Sequence, residues 1–293
     1  FVDVMHGAAA GGLAQILEET VHEVNSDRDP LFGGGAPEPL PKYMAELFHQ
    51  VHSYRQQHPT GLAVALVFDG DSDRIAAVDG QGNFLSSQIL IPILMEHLVV
   101  HRGFTGEFIK TISGSDLMPK VAALHNLSVY ETPIGYKYIA DRMLETQVLI
   151  GGEESGGIGY GNHIPERDAL LSALYVLEAI VKFNADLSDI YHDLQTRADF
   201  FSSYDRIDLP LSGMEARTRL LNQLESQPPT EIAGQKVVDV LAIDGYKFRL
   251  EDGRWLLIRF SGTEPVLRLY SEAKTLDQVH ETLDWAREWA NKA

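Results

Sequence analysis

The chain has 293 residues, 24 Lys and Arg against 42 Asp and Glu, and a formal net charge of −18, with 44% of its residues hydrophobic. That field argues against a nucleic acid or an anionic membrane surface as partner, so any anionic ligand must be captured by local basic groups. The absence of cysteine excludes disulfides and thiolate metal sites and fits a reducing cytoplasm, and no apolar run approaches the about 20 residues of a membrane span.

In chain order, residues 1–5 read as a strand, 7–12 as a glycine-rich turn and 12–23 as an amphipathic helix. The chain opens inside a strand, with neither Met nor a signal-peptide layout, so residues are expected to precede Phe1. Residues 27–41, with Gly33-Gly-Gly35 and several prolines, read as a loop, and 42–57 as a helix. The apolar run 62–68 reads as a buried strand that delivers Asp69-Gly-Asp-Ser-Asp-Arg74. Residues 75–78 and 83–85 form a hairpin around Asp79-Gly-Gln-Gly82, and helix 88–101 follows.

A second α/β stretch repeats this scheme: strand 107–112, turn Ser113-Gly-Ser115, helix 116–126, strand 129–131, helix 134–144 and strand 147–150. That last strand feeds Gly151-Gly-Glu-Glu-Ser-Gly-Gly157, and a long apolar helix spans 167–183. The last part differs in kind. Strand 203–209 and helix 213–225 precede consecutive strands at 237–243, 246–250, 255–260 and 266–271, with hairpin turns at Asp244-Gly245 and Asp252-Gly253, and helix 276–292 ends the chain. The expected fold is therefore two similar mixed-sheet α/β domains, residues 1–87 and 88–195, followed by an α+β domain with an antiparallel sheet over 196–293.

Three loops carry chemistry. Alternate residues of extended backbone point the same way, so Asp69, Asp71 and Asp73 converge. Such an all-oxygen cluster suits a hard cation, Mg²⁺ or Ca²⁺, rather than zinc. It is no EF-hand loop, because Arg74 falls where glycine is needed and Gly80 where glutamate is needed. A solvated acidic turn, or a nucleophilic Asp69 of haloacid-dehalogenase type, remains open. In Gly151–Gly157, the carboxylates of Glu153 and Glu154 and the hydroxyl of Ser155 are set between glycines, an arrangement suited to sugar hydroxyls. In Arg259-Phe-Ser-Gly-Thr-Glu-Pro265, Ser261 and Thr263 offer hydroxyls, Gly262 admits close backbone approach, and Arg259 with Arg268 can fork onto phosphate oxygens.

The order Asp69-Gly-Asp-Ser-Asp-Arg74, Thr132-Pro-Ile-Gly-Tyr-Lys137, Gly152-Glu-Glu-Ser-Gly156, Arg259-Phe-Ser-Gly-Thr263 resembles the α-D-phosphohexomutases, the phosphoglucomutase and phosphomannomutase enzymes. The resemblance implies Mg²⁺ on Asp69, Asp71 and Asp73, with Arg74 as electrostatic support in catalysis. It implies sugar hydroxyls on Glu153 and Ser155, and phosphate on Arg259, Ser261, Gly262 and Thr263, with Arg268 beside them. Gly135 and Lys137 lie in a loop that contacts ligand in relatives, and Arg167 would begin a helix facing the same cleft. His163 is a candidate proton carrier by its ordinary pKa. Ser72 stands where the metal loop often has glycine.

The family has four domains, and this chain resembles the second to fourth. A Thr-x-Ser-His-Asn-Pro-like phosphoserine loop has no match here; Thr111-Ile-Ser-Gly-Ser-Asp116 lacks the following His-Asn-Pro. The implied reaction moves a phosphoryl group between C1 and C6 of a glucose or mannose phosphate through a bisphosphate. The phosphoserine would come from the missing N-terminal domain, so this chain alone is expected to be inactive. The Glu-Glu-Ser-Gly loop looks more like the glucose/mannose subgroup than the glucosamine enzymes. The alternatives are a phosphatase with Asp69 as nucleophile and a non-catalytic sugar-phosphate-binding protein.

Overall fold

The computed structural model describes residues 1–17, 21–261 and 265–292. It divides into two compact units, residues 1–114 with 118–198, and residues 115–117 with 199–293.

The first unit begins with β1 (Val2–Asp3), α1 (Gly12–Leu17), β2 (Glu23–Val24), α2 (Ala45–Gln57), β3 (Val64–Phe68), β4 (Ile75–Asp79), β5 (Phe84–Leu85) and α3 (Ser87–Val100). Its five-stranded sheet runs β2-β1-β3-β4-β5. β1 pairs parallel with β2 and β3, whereas β4 returns antiparallel along β3. β3 is central, so its residues from Ala65 to Phe68 are buried on both faces and the run is apolar throughout. The helix expected over 12–23 is seen over Gly12–Leu17, residues 18–20 lie outside the described residues, and Glu23–Val24 is a strand instead. Strand pairing wins at Glu23, whose carboxylate also accepts from the Gly11 amide at 2.9 and 3.1 Å.

The unit continues through β6 (Glu107–Thr111), α4 (Leu117–Leu124), β7 (Val129–Thr132), α5 (Tyr136–Glu145), β8 (Val148–Gly152), β9 (Ile158–Tyr160), α6 (Ala169–Phe183) and α7 (Leu187–Arg197). These strands form a second sheet in the order β7-β6-β8-β9. β7, β6 and β8 are parallel, and β9 returns antiparallel along β8. Numbered within each sheet, both begin second-first-third-fourth, and the first adds β5 at its edge. In both, the third strand ends in an acidic loop and the fourth turns back beside it. The repeat hinted at by the sequence is therefore a repeat of topology. α3 packs against strands of both sheets, which is why it is apolar on nearly every face and buried from Ser87 to Leu98 apart from the half-buried Ile89.

α6 starts at Ala169, not at residue 167, because Asp168 caps it by accepting from the Leu171 amide at 2.8 Å. Between the helix expected to end at residue 183 and the strand expected from 203 lies α7, capped by Asp186.

The second unit comprises β10 (Ser203–Pro210), α8 (Met214–Ser226), β11 (Glu231–Ile232), β12 (Gln235–Leu241), β13 (Tyr246–Leu250), β14 (Trp255–Phe260), β15 (Val266–Ala273) and α9 (Leu276–Lys292). The sheet order is β10-β15-β14-β13-β12-β11, antiparallel throughout. Gly245 and Gly253 take the left-handed backbone their hairpin turns require, with φ of +80° and +89°. Leu220 and Leu224 of α8 and Val279, Leu283 and Ala286 of α9 cover one face of this sheet, against Phe248, Leu256, Ile258, Leu267 and Leu269.

Candidate active site

The metal-loop carboxylates gather at the exit of β3. Asp69, Asp71 and Asp73 each place a carboxylate oxygen within 4.8 Å of the others; Asp69 is buried, Asp73 half-buried and Asp71 exposed. Asp69 is the fixed member. Its Oδ1 accepts from the Asp73 and Arg74 amides, both at 3.0 Å, and its Oδ2 accepts from Arg74 Nε at 2.5 Å. The turn closes through Ser72, whose amide donates to the Asp69 carbonyl at 3.1 Å. Ser72 sits at φ +64°, the left-handed region that favours glycine. Its hydroxyl turns back toward the same carbonyl at 3.5 Å.

An all-carboxylate set of this span fits a hard divalent cation, because oxygen donors of one sign repel unless a cation lies among them. Burial, opposed by the Arg167 guanidinium and reinforced by Asp69 and Asp71, holds the Asp73 carboxyl above its ordinary range.

The Gly151–Gly157 loop, expected to take the sugar, adjoins the Asp69–Asp73 loop, expected to take the metal, within the same unit. Arg74 and Gly157 form an antiparallel bridge, and the Ile75 amide donates to the Gly156 carbonyl at 3.0 Å. That approach needs glycine: Gly156 has φ +107°, and a Cβ there would lie 2.8 Å from the Ile75 carbonyl oxygen. Glu153 is buried, and its Oε1 accepts from the Gly135 amide at 3.0 Å, at the start of α5. Burial first, and the neighbouring Glu154 second, push the Glu153 carboxyl up to about 7. Ser155 is half-buried in the same turn.

Arg167 lies ahead of α6 rather than on it, and its Nη2 pairs with Asp73 Oδ2 at 2.6 Å. Its guanidinium sits over the Tyr136 ring at 5.5 Å. Lys137 is exposed on α5, over the Tyr138 ring at 4.7 Å. His163 is exposed and pairs with the capping Asp168 at 3.0 Å.

Two residues of this site, Tyr136 and Glu38, were given no role by the sequence, and a third, Glu154, was grouped with Glu153 as a carboxylate for sugar hydroxyls. Glu154 does not point the way its neighbour does: its Oε2 accepts from Ser113 Oγ at 2.5 Å and its carbonyl from Ser87 Oγ at 2.8 Å, so it anchors the sugar loop. Tyr136 supplies the ring beneath Arg167, and Glu38 approaches Arg74 Nη1 at 4.0 Å. No spacing signal marks them, because each reaches the site from a different segment.

In the second unit, Arg259 and Arg268 stand directly opposite each other on β14 and β15. Like charges in that register repel unless an anion or acid balances them. Arg259 Nε donates to Asp244 Oδ2 at 3.0 Å, whereas Arg268 Nε is buried without a hydrogen-bond partner among the described residues. Gly245 lets the β12–β13 turn approach this point; a Cβ there would lie 3.0 Å from Arg259 Cα. Ser261 is buried, its amide donating to the Val266 carbonyl at 3.0 Å. Gly262 and Thr263, also expected to bind phosphate, lie outside the described residues.

Acidic loops thus leave equivalent strands of two like-ordered sheets, and an antiparallel-sheet unit with two arginines opposed on a hairpin follows them. Family models match it as phosphoglucomutase/phosphomannomutase α/β/α domain II over residues 1–82, α/β/α domain III over 86–198, and the C-terminal domain over 220–288. The chain belongs to the phosphoglucomutase/phosphomannomutase family. It is 27% identical over 286 residues to a phosphoglucomutase/phosphomannomutase of Thermococcus kodakarensis, covering 97% of this chain and 58% of the relative. It is 28% identical over 292 residues to a phosphoglucosamine mutase of Limosilactobacillus reuteri, covering 97% and 57%. A crystal structure of a Thermus thermophilus protein, provisionally assigned as a phosphomannomutase, superposes with a TM-score of 0.83 at 29% identity, over 99% of this chain and 60% of that one. The chain spans little more than half the length of the curated relatives it matches.

Proposed function

We propose that this chain supplies the cation, sugar and phosphate loops of a hexose-phosphate mutase that moves a phosphoryl group between C1 and C6 through a bisphosphate, the phosphoserine being carried by a domain outside these residues. The observation that carries this reading is the joining of the metal and sugar loops through Arg74 and Gly157 in one unit.

In this reading Asp69, Asp71 and Asp73 hold Mg²⁺, which neutralises charge on the transferring group. Arg74, fixed by Asp69, adds a preorganised positive group beside it. Glu153, oriented by Gly135, and Ser155 accept from or donate to sugar hydroxyls, with Arg167 and Lys137 at the margin of the same loop. Arg259, Ser261, Gly262, Thr263 and Arg268 take the non-reacting phosphate. The relatives' names differ over the sugar, so glucose, mannose and glucosamine phosphates all belong in the test.

A phosphatase with Asp69 as nucleophile is disfavoured by geometry. Asp69 is 1% exposed, and both its oxygens are engaged by Asp73 and Arg74.

Calorimetric titration of this chain with glucose 1-phosphate, mannose 1-phosphate and glucosamine 1-phosphate in Mg²⁺ tests the reading. At least one should bind, and Arg259→Ala should weaken it by about 1.5–3 kcal/mol, the worth of a charge-assisted bond. Failure of all three sugars, or an unchanged affinity in Arg259→Ala, would overturn it.

A further inference from the structure

We infer that Asp3 and Gly7, remote in sequence from the acidic loop, are positioning residues that set the affinity of Asp69, Asp71 and Asp73 for their cation. The inference rests on the reading of those three carboxylates as a Mg²⁺ site.

The metal loop is tied unevenly. Its inner half is held by the bonds to Asp69, but Gly70, which leads into Asp71, is held from outside. The Gly70 amide donates to the Pro37 carbonyl at 3.1 Å, and its carbonyl accepts from the Ala8 amide at 3.0 Å. The fit is close on both sides. A Cβ on Gly70 would meet Pro37 Cγ at 2.9 Å, and a Cβ on Gly7 would meet the Gly70 carbonyl oxygen at 2.5 Å and its Cα at 2.9 Å. Asp71 is exposed, so the placement of its carboxylate depends on this clamp.

The turn that brings Gly7 to Gly70 is strained, and Asp3 holds it. Met5 and His6 are consecutive left-handed residues, with φ of +46° and +57°, and Asn25 opposite them has φ +53°. Such conformations persist only where the surroundings impose them. Asp3 is fully buried at the end of β1, and its Oδ1 accepts from the Met5 amide at 2.9 Å and from Asn25 Nδ2 at 3.0 Å. The Gly7 amide then closes onto the Val4 carbonyl at 2.7 Å. The other oxygen, Oδ2, is buried without a hydrogen-bond partner among the described residues. A buried carboxylate left half-satisfied is costly, and the one task the structure gives it is to fix this turn and the β2 exit together. Parallel pairing of Asp3 with Val67 then sets the turn beside the exit of β3. Residues outside the ligand set that orient it typically change metal affinity by about 10–100-fold.

Mn²⁺ titration of this chain, read by the electron paramagnetic resonance of free Mn²⁺, tests the inference without any turnover. Wild type should bind, and Asp71→Asn should weaken binding. Gly7→Ala and Asp3→Ala should each weaken it about tenfold or more, and Asp3→Asn, whose side-chain carbonyl can still accept from Met5, should recover most of the loss. Circular dichroism melts show whether each variant is folded; if Asp3→Ala is not, Gly7→Ala decides. Wild-type Mn²⁺ affinity in folded Gly7→Ala, with Asp71→Asn weakened, would overturn the clamp and leave the metal reading standing. Absent binding in wild type, or an unaffected Asp71→Asn, would overturn the metal reading itself and the clamp with it.

Discussion

Arg167 Nη2 lies 2.6 Å from Asp73 Oδ2, so a guanidinium from the strand-to-helix segment before α6 neutralises one of the three converging carboxylates. The pair makes Arg167 a link between the cation and sugar loops rather than the surface charge its position in the sequence would also allow. The side chain is wedged as well, its Cδ filling the space a Cβ on Gly157 would need.

Replacing Arg167 with Met should therefore move two affinities in opposite directions. Divalent-cation binding should strengthen by roughly threefold or more, since a competing positive charge leaves Asp73. Sugar-phosphate binding should weaken, because the cation over the Tyr136 ring is lost. Parallel Mn²⁺ and glucose 1-phosphate titrations read both; a fall in both affinities would show that Arg167 serves folding alone.

Glu153 should give the site a pH dependence near neutrality. Its folded carboxyl keeps its proton up to about pH 7, while the ordinary value is 4.5. The stability associated with this group is therefore full below pH 4.5 and is lost as pH rises through 7, by roughly 3 kcal/mol as an upper bound. Glu153→Gln should flatten that part of the stability profile and raise the melting temperature at pH 8. Urea melts from pH 4.5 to 8 check this, and an unchanged slope in the variant would refute it.

Two adjacent glycines should fail in different ways. At Gly156 a Cβ meets backbone, the Ile75 carbonyl oxygen at 2.8 Å, in a left-handed conformation. Gly156→Ala should cost about 2–3 kcal/mol of stability. At Gly157 the Cβ meets the Arg167 side chain, Cδ at 2.4 Å, which can swing aside. Gly157→Ala should keep most of its stability but release Asp73, reproducing the cation affinity of the Arg167 variant. Equal destabilisation of the two would contradict this division.

The acidic exit of β3 and the arginine hairpin were legible because residue type and spacing carry them: alternating aspartates, and two arginines around Ser-Gly-Thr. The long strands and α9 were legible for the same reason. The strand at Glu23–Val24 and the one at Ile158–Tyr160 were not, since two or three residues are too few to show a period, and pairing partners decide them. α7 could have been found. Asp186 caps it, and Leu187, Ile190 and Leu194 recur at helical spacing on the buried side. The opposed directions of Glu153 and Glu154 could not, because they depend on Gly135 and Ser113, which come from separate loops.

The shared strand order of the two sheets in the first unit has an evolutionary consequence. One scaffold, used twice, presents the Asp69–Asp73 loop in one copy and the Gly151–Gly157 loop in the other, at corresponding positions, which the proposed function reads as ion-holding and carbohydrate-holding. Each loop can drift in its own specificity while the backbone contact at Arg74 and Gly157 keeps the copies in step. Changes of sugar within such a lineage should therefore accumulate in the second copy, with the first left almost untouched.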